Sequence, residues 1–216
     1  KASGDGAHGA GGVGVLDTVT SLGGMPVTID DGGVDVAYSA TQKSLSGPPG
    51  LGPLTVNERA RKALRDRKTP VGNWYYDLST LERYWGKDRT YHHTAPITLN
   101  FALREGLRVA LEEGMENRFH RHEENAELLR EGLAEMDFGL LVKQPELRLP
   151  TLTTPELPPS VDDAAVRKQL LNDYNIEIAG GFGPLAGKVW RIGLMGHSSS
   201  KEHVMMLLGA LRKILN

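Results

Sequence analysis

Tyr38-Ser39-Ala40-Thr41-Gln42-Lys43-Ser44-Leu45-Ser46-Gly47-Pro48-Pro49-Gly50 is the stretch on which the fold of this chain turns. It grows out of an apolar run at 34–39 that reads as a buried strand. A lysine followed by small residues and then Pro-Pro-Gly cannot continue that strand. The ammonium group is therefore held at a strand end, where open α/β sheets place their concave sites. A lysine crowded in such a place loses its proton readily and becomes a nucleophile toward carbonyls. Upstream, Val15-Leu16-Asp17-Thr18-Val19-Thr20-Ser21-Leu22-Gly23-Gly24 ends a second apolar run, this time at an acid. Alone, Asp17 reads as a turn cap and Lys43 as a surface charge. One strand–turn–strand unit apart, the two project from the same edge of one sheet.

Outward from this pair, strands are expected at 13–17, 34–39 and 51–56, in a mixed or parallel sheet with covered faces. Asn57 is placed to cap a charged helix over 58–67. Residues 68–94 are rich in aromatics and turn formers. Pro96 then opens a helix whose Leu99, Leu103, Leu107 and Leu111 form one apolar face. Gly114 marks a break, and an amphipathic helix over 116–136 turns Phe119, Ala126, Leu129 and Leu133 toward a core. A composition shift near Phe138-Gly139 begins a second unit. It has strands at 140–142, 151–154, 176–179 and 189–194, a helix at 161–172, and a helix capped by Ser200 and running to about Leu215. The expected architecture is α/β. An irregular Gly-rich leader (1–14) precedes part of a large domain with connecting helices (15–136), and a small α+β domain comes after it (137–216). Gly9-Ala10-Gly11-Gly12-Val13-Gly14 matches a dinucleotide-binding string, but it follows no strand and opens no helix, so it reads as leader.

The composition of the 216 residues is that of an ordinary globular protein, with 39% apolar and 24% charged residues. A net charge of −2 makes no electrostatic case for nucleic acid or an anionic membrane as partner. No run approaches the ~20 apolar residues of a membrane span, and no targeting signal is visible, so a cytoplasmic location is expected. The absence of cysteine excludes disulfides, thiolate catalysis and cysteine-ligated metals. No metal site is expected. His92 and His93 are adjacent in an extended segment and should point opposite ways. His120-Arg121-His122-Glu123 reads as a solvated helix surface. Trp74, Tyr75 and Tyr76 suit packing at a domain or subunit junction.

A lysine for an aldehyde and a carboxylate for a pyridinium nitrogen are the pair that pyridoxal phosphate chemistry requires. The strings around Asp17 and Lys43, with Pro48-Pro49-Gly50, resemble class V pyridoxal-phosphate aminotransferases, most closely the alanine–glyoxylate / serine–pyruvate branch. Tyr91-His92-His93-Thr94-Ala95-Pro96, Leu147-Arg148-Leu149-Pro150-Thr151, Ile176-Glu177-Ile178 and Gly187-Lys188-Val189-Trp190-Arg191-Ile192-Gly193-Leu194-Met195-Gly196 extend the resemblance to the C-terminus. It implies a fold-type I transferase with a partial large-domain sheet, acting as a homodimer on a small amino acid and a small 2-oxo acid. It further implies that Lys43 condenses with the cofactor's aldehyde and moves the substrate's α-proton, and that Asp17 partners the pyridinium nitrogen. Val19 would pack on the ring and Gln42 would contact the phosphate. Tyr91 and Thr94 would reach the phosphate of the other subunit, and Arg191 would clamp the substrate carboxylate. In the family, a phosphate-binding turn and a ring-stacking aromatic lie upstream of the part matched here. The alternatives are therefore a catalytically silent fragment lacking half of the cofactor pocket, or another class V enzyme.

Overall fold

Three short strands organise the first half of the chain. In the computed structural model, which describes residues 5–215, β1 (Val15–Asp17) pairs in parallel with β2 (Val36–Tyr38), and β2 pairs antiparallel with β3 (Leu54–Val56). The register sets Val15 opposite Val36 and Asp17 opposite Tyr38. Parallel neighbours need a crossover of a dozen residues or more; here it is the turn-rich segment 18–35. The sheet is mixed, as expected, but each strand is shorter than its apolar run. Gly14 precedes β1, Pro53 precedes β3, and before β2 the chain turns Asp35 inward.

Asp35 also explains a correction to the N-terminus. Its side chain is fully buried and must find donors there. The leader supplies them: His8 Nε2 lies 2.9 Å from Oδ2, and the Gly14 N–H donates to the same oxygen at 2.8 Å. Asn57 Nδ2 donates to Oδ1 at 2.9 Å. Burial raises the Asp35 pKa, but these donors outweigh it and bring the carboxyl to about 2. Residues expected to be irregular thus include a helical turn, α1 (Asp5–Gly9), tied to the sheet through His8. Residues 1–4 of the expected leader lie outside the described residues.

The helix α2 (Glu58–Arg65) is capped as expected, with Asn57 Oδ1 accepting from the Ala60 N–H at 3.0 Å. The helix α3 (Leu78–Trp85) begins at Asp77, whose carboxylate accepts from the Ser79 N–H. Two long helices, α4 (Ile97–Glu113) and α5 (Met115–Ala134), meet at Gly114. The leucine face of α4 is not sealed: Leu111 is 70% exposed and Leu107 41% exposed.

The second half comprises β4 (Gly139–Leu140), β5 (Leu152–Thr153), β6 (Pro155–Glu156), α6 (Asp163–Tyr174), β7 (Ala179–Gly180), β8 (Trp190–Gly193) and α7 (Lys201–Leu215). β8 lies between β5 and β7, antiparallel to both, and β4 pairs with β6. The strand predicted at 176–179 shrinks to Ala179–Gly180 because Asn175, at φ 54°, closes α6 and redirects the chain. The main core gathers Leu129 and Leu133 of α5, Leu170 of α6, Trp190 of β8, and Val204 and Leu211 of α7, all at 0% exposure. The C-terminal half of α5 thus packs with α6, β8 and α7 in this core. Among the described residues no helix is long and apolar enough to cross a membrane.

Candidate active site

Parallel pairing of β1 and β2 brings the C-terminal ends of both strands to one edge of the sheet, and hydrogen bonds just beyond them fix their separation. The Thr18 N–H and hydroxyl both donate to the Tyr38 carbonyl, at 2.9 and 2.7 Å. The Ser39 hydroxyl returns a bond to the Thr18 carbonyl at 3.2 Å. Asp17 opens toward solvent from this edge with its carboxylate aimed by two donors. The Val19 N–H donates to Oδ1 at 2.8 Å, an Asx-type turn, and the Tyr38 hydroxyl donates to Oδ2 at 2.8 Å. That bond favours the neutral phenol and raises the Tyr38 pKa. Tyr38 as the aiming partner of Asp17 was missed from sequence. The register that sets Tyr38 opposite Asp17 is a tertiary pairing, with no local signal in the sequence.

Lys43 sits in a tight loop beyond β2. The Gly47 N–H donates to Thr41 O at 2.8 Å and the Ser46 N–H to Lys43 O at 2.9 Å, with Ser46 at φ 59°. Thr41, Ser44 and Leu45 point into the protein and are buried, while Gln42 is exposed and Lys43 half-buried. Among the described residues, neither Lys43 Nζ nor the Gln42 side chain has a hydrogen-bonding or ion-pair partner. Asp17 ends β1 and the Lys43 loop comes after the end of β2, on the same edge of the sheet.

The other predicted residues are distributed around the chain. Val19 is half-buried beside Asp17. Tyr91 and Thr94 meet each other, Oη to Oγ1 at 3.1 Å, and Tyr91 is 75% exposed; neither bonds to the Lys43 loop. Arg191 leaves β8 on the face opposite the buried Trp190 and Ile192. Its Nε donates to Gly180 O at 2.8 Å, and its guanidinium lies 5.0 Å over the Phe182 ring. Among the described residues its two terminal nitrogens have no partner, so the fork remains open to an anion.

Two expectations about histidines are corrected. His92 and His93 do not diverge: their Nδ1 atoms lie 2.9 Å apart, and His92 is buried and stacked on Trp74 at 4.0 Å. The segment bends there, so strand alternation does not apply. His122 is not on a solvated surface but fully buried. Its Nδ1 donates to Arg118 O at 2.7 Å and its Nε2 accepts from the Gly196 N–H at 2.9 Å. Burial lowers its pKa, which keeps it neutral for both bonds. Among the described residues no group of histidines and carboxylates could hold a metal ion.

An amine without a counterion among the described residues and a carboxylate with aimed, unsaturated oxygens form a donor set that suits an aldehyde and a protonated ring nitrogen. Comparison with known proteins agrees. The sequence pattern of the class-V aminotransferases matches residues 2–202, and the chain belongs to that family, a family of pyridoxal-phosphate enzymes with the fold-type I architecture. It is 40% identical over 219 residues to the (S)-ureidoglycine–glyoxylate transaminase of Bacillus subtilis, covering 93% of this chain and 52% of that protein. It is 42% identical over 204 residues to the alanine–glyoxylate aminotransferase of Callithrix jacchus, covering 93% and 49%. The crystal structure of an alanine–glyoxylate aminotransferase from Nostoc sp. superposes with a TM-score of 0.96 at 50% identity, over 100% of this chain and 58% of that one. The chain spans about half the length of the curated relatives it matches.

Proposed function

We propose that the protein carrying this chain transfers an amino group from a small amino acid, alanine or serine, to a small 2-oxo acid, glyoxylate or pyruvate. The observation that carries this reading is the parallel register of β1 and β2, with Asp17 at one sheet edge and, beyond it, a Lys43 that has no partner among the described residues. Pyridoxal phosphate, when bound, supplies an electron sink for the bond broken at the substrate's α-carbon. Lys43 Nζ would hold the cofactor's aldehyde carbon in the resting state, then take the α-proton from one carbon and return it to another. Asp17, aimed by Val19 and Tyr38, would keep a proton on the ring nitrogen. Val19 would pack against the ring and Gln42 would donate toward the phosphate. Arg191 would grip the substrate carboxylate with its open fork.

Assembly belongs to the same proposal. Trp85, Ile97, Phe101 and Leu111 are each at least 63% exposed. An apolar groove of about 1260 Å³ opens between β3, α2, α3 and the start of α4, lined by Leu54, Leu64, Leu81 and Trp85 among others. Apolar surface on this scale marks an interface. A homodimer in which Tyr91 and Thr94 reach the phosphate held by the other subunit would use it.

Titrating the purified chain with pyridoxal phosphate tests the reading. A near-visible absorbance band that saturates, and is lost in Lys43→Ala, is the expected result. A chain that gives no such band at saturating cofactor refutes Lys43 as the cofactor's anchor.

A further inference from the structure

We infer that Arg118 is a positioning residue for Lys43, holding the Lys43 loop and the turn after Asp17 on a single guanidinium. The inference rests on the reading of Lys43 given above.

Arg118 lies on α5, distant in sequence from both loops, and its side chain is only 3% exposed. Its Nε donates to Gly23 O at 2.8 Å, in the turn that comes after Asp17. Its Nη2 donates to the carbonyl of Ser44, the residue after Lys43, at 2.6 Å. Its Nη1 donates to Glu113 Oε2 at 2.6 Å. Every nitrogen of the guanidinium is thus engaged, and the two carbonyls belong to the two segments whose separation sets the distance from Lys43 to Asp17.

The surroundings make the link rigid. Glu113 also accepts from Arg121 Nε at 2.5 Å; Arg121 first, then Arg118, lower its pKa against the opposing effect of burial, so the carboxylate stays charged. Arg121 Nη1 in turn donates to the carbonyls of Gly196, at 3.1 Å, and Ser199. The His197 N–H donates to Ser46 Oγ at 3.0 Å. At Gly196 (φ 60°) a Cβ would fall 2.0 Å from Ser46 Oγ, 2.8 Å from Ser44 O and 3.2 Å from Arg118 Nη2. The Gly196 backbone therefore closes over the Arg118–Ser44 bond and excludes water from it, which strengthens the bond.

A buried guanidinium is costly, and packing alone would be served as well by an apolar side chain. What the guanidinium adds is geometry. Its planar fork fixes two acceptors at a set distance and angle, which the single point charge of lysine cannot do. A displacement of about 1 Å between reacting groups costs roughly a hundredfold in rate.

The test compares labelling of Lys43 with that of the exposed Lys168 in the same chain. Pyridoxal phosphate is added, borohydride reduces the imine on each Nζ to a stable secondary amine, and peptide mapping gives the ratio of the two labels. Wild type is expected to favour Lys43. Arg118→Lys, folded by circular dichroism, is expected to lose about tenfold or more of that preference. Arg118→Ala is expected to regain it when millimolar guanidinium is added, with Lys168 unchanged. Three results overturn the inference: folded variants that keep the wild-type ratio, guanidinium that restores thermal stability but not the ratio, or variants that do not fold even with guanidinium present. A wild type that does not favour Lys43 removes the reading of Lys43 itself, and the inference with it.

Discussion

Adding one methyl group at Gly24 probes the junction on which the Lys43 loop rests. The Gly24 backbone is not in the left-handed region, so alanine is conformationally allowed and the cost is steric. A Cβ there would lie 2.2 Å from Thr151 Cγ2, 2.9 Å from Ser44 Oγ and 3.3 Å from His122 Cδ2. Overpacking of this kind costs about 1–3 kcal/mol, which for a chain of this size lowers Tm by roughly 2–12 °C. Thr151→Ser removes the methyl in closest contact, and alone costs about 0.8 kcal/mol for the buried carbon lost. Of the remaining contacts, His122 Cδ2 needs to give only a few tenths of an ångström, and Ser44 Oγ, buried with no hydrogen-bond partner among the described residues, can rotate away with no bond to break. The double variant Gly24→Ala/Thr151→Ser should therefore be no less stable than Thr151→Ser, a coupling of about 1–3 kcal/mol between residues far apart in sequence. Urea denaturation of the four proteins measures it. Strict additivity would show that the close approach of these loops is not what glycine serves at position 24.

Stability should also respond to pH through His122 and Asp35. The His122 pKa is lowered in the folded state, so its contribution is complete above its unfolded value of about 6.5 and lost as pH falls below it. Below that value the unfolded chain takes up a proton that the folded chain refuses. His122→Gln, which offers a donor and an acceptor but no titration, should flatten the urea midpoint across this window by up to about 1.4 kcal/mol per pH unit; an unchanged slope excludes His122 as the source. Asp35, at about 2, should contribute a further loss as pH falls from 3.8 toward that value, absent in Asp35→Asn. For assembly, Phe101→Glu with Leu111→Glu should shift the protein to smaller species in size exclusion with light scattering. An identical elution profile would count against α4 as an interface.

The placement of Asp17 and Lys43 was legible in sequence because it depends on residue type at strand ends. Asp17 ending one apolar run and Lys43 following another needed only the period of a strand and the known demands of an aldehyde and a pyridinium nitrogen. Asn57 and Ser200 were legible as caps for a similar local reason: an oxygen just ahead of a helix meets free N–H groups, and the His203 N–H does donate to Ser200 Oγ at 3.2 Å. Burial was less legible. Leu107 and Leu111 of α4 have the spacing of a buried face yet remain exposed, because periodicity reports which side is apolar and not what covers it. His122 has the neighbours of a surface residue yet is fully enclosed, because the turn at Gly196, far along the chain, closes over it.

The order of residues alone determined the Asp17–Lys43 pair, the strand–turn–strand unit that brings them to one sheet edge, and the family resemblance of the strings around them. These are short-range properties, set by local backbone preference and by the chemistry of each side chain. Tertiary structure decided what aims and braces the pair: the Tyr38 hydroxyl on Asp17, the Arg118 fork between Gly23 and Ser44, and the closure of Gly196 over the Lys43 loop. Each joins residues that lie far apart along the chain, and such partners acquire a distance and an angle only once helices and sheets have packed.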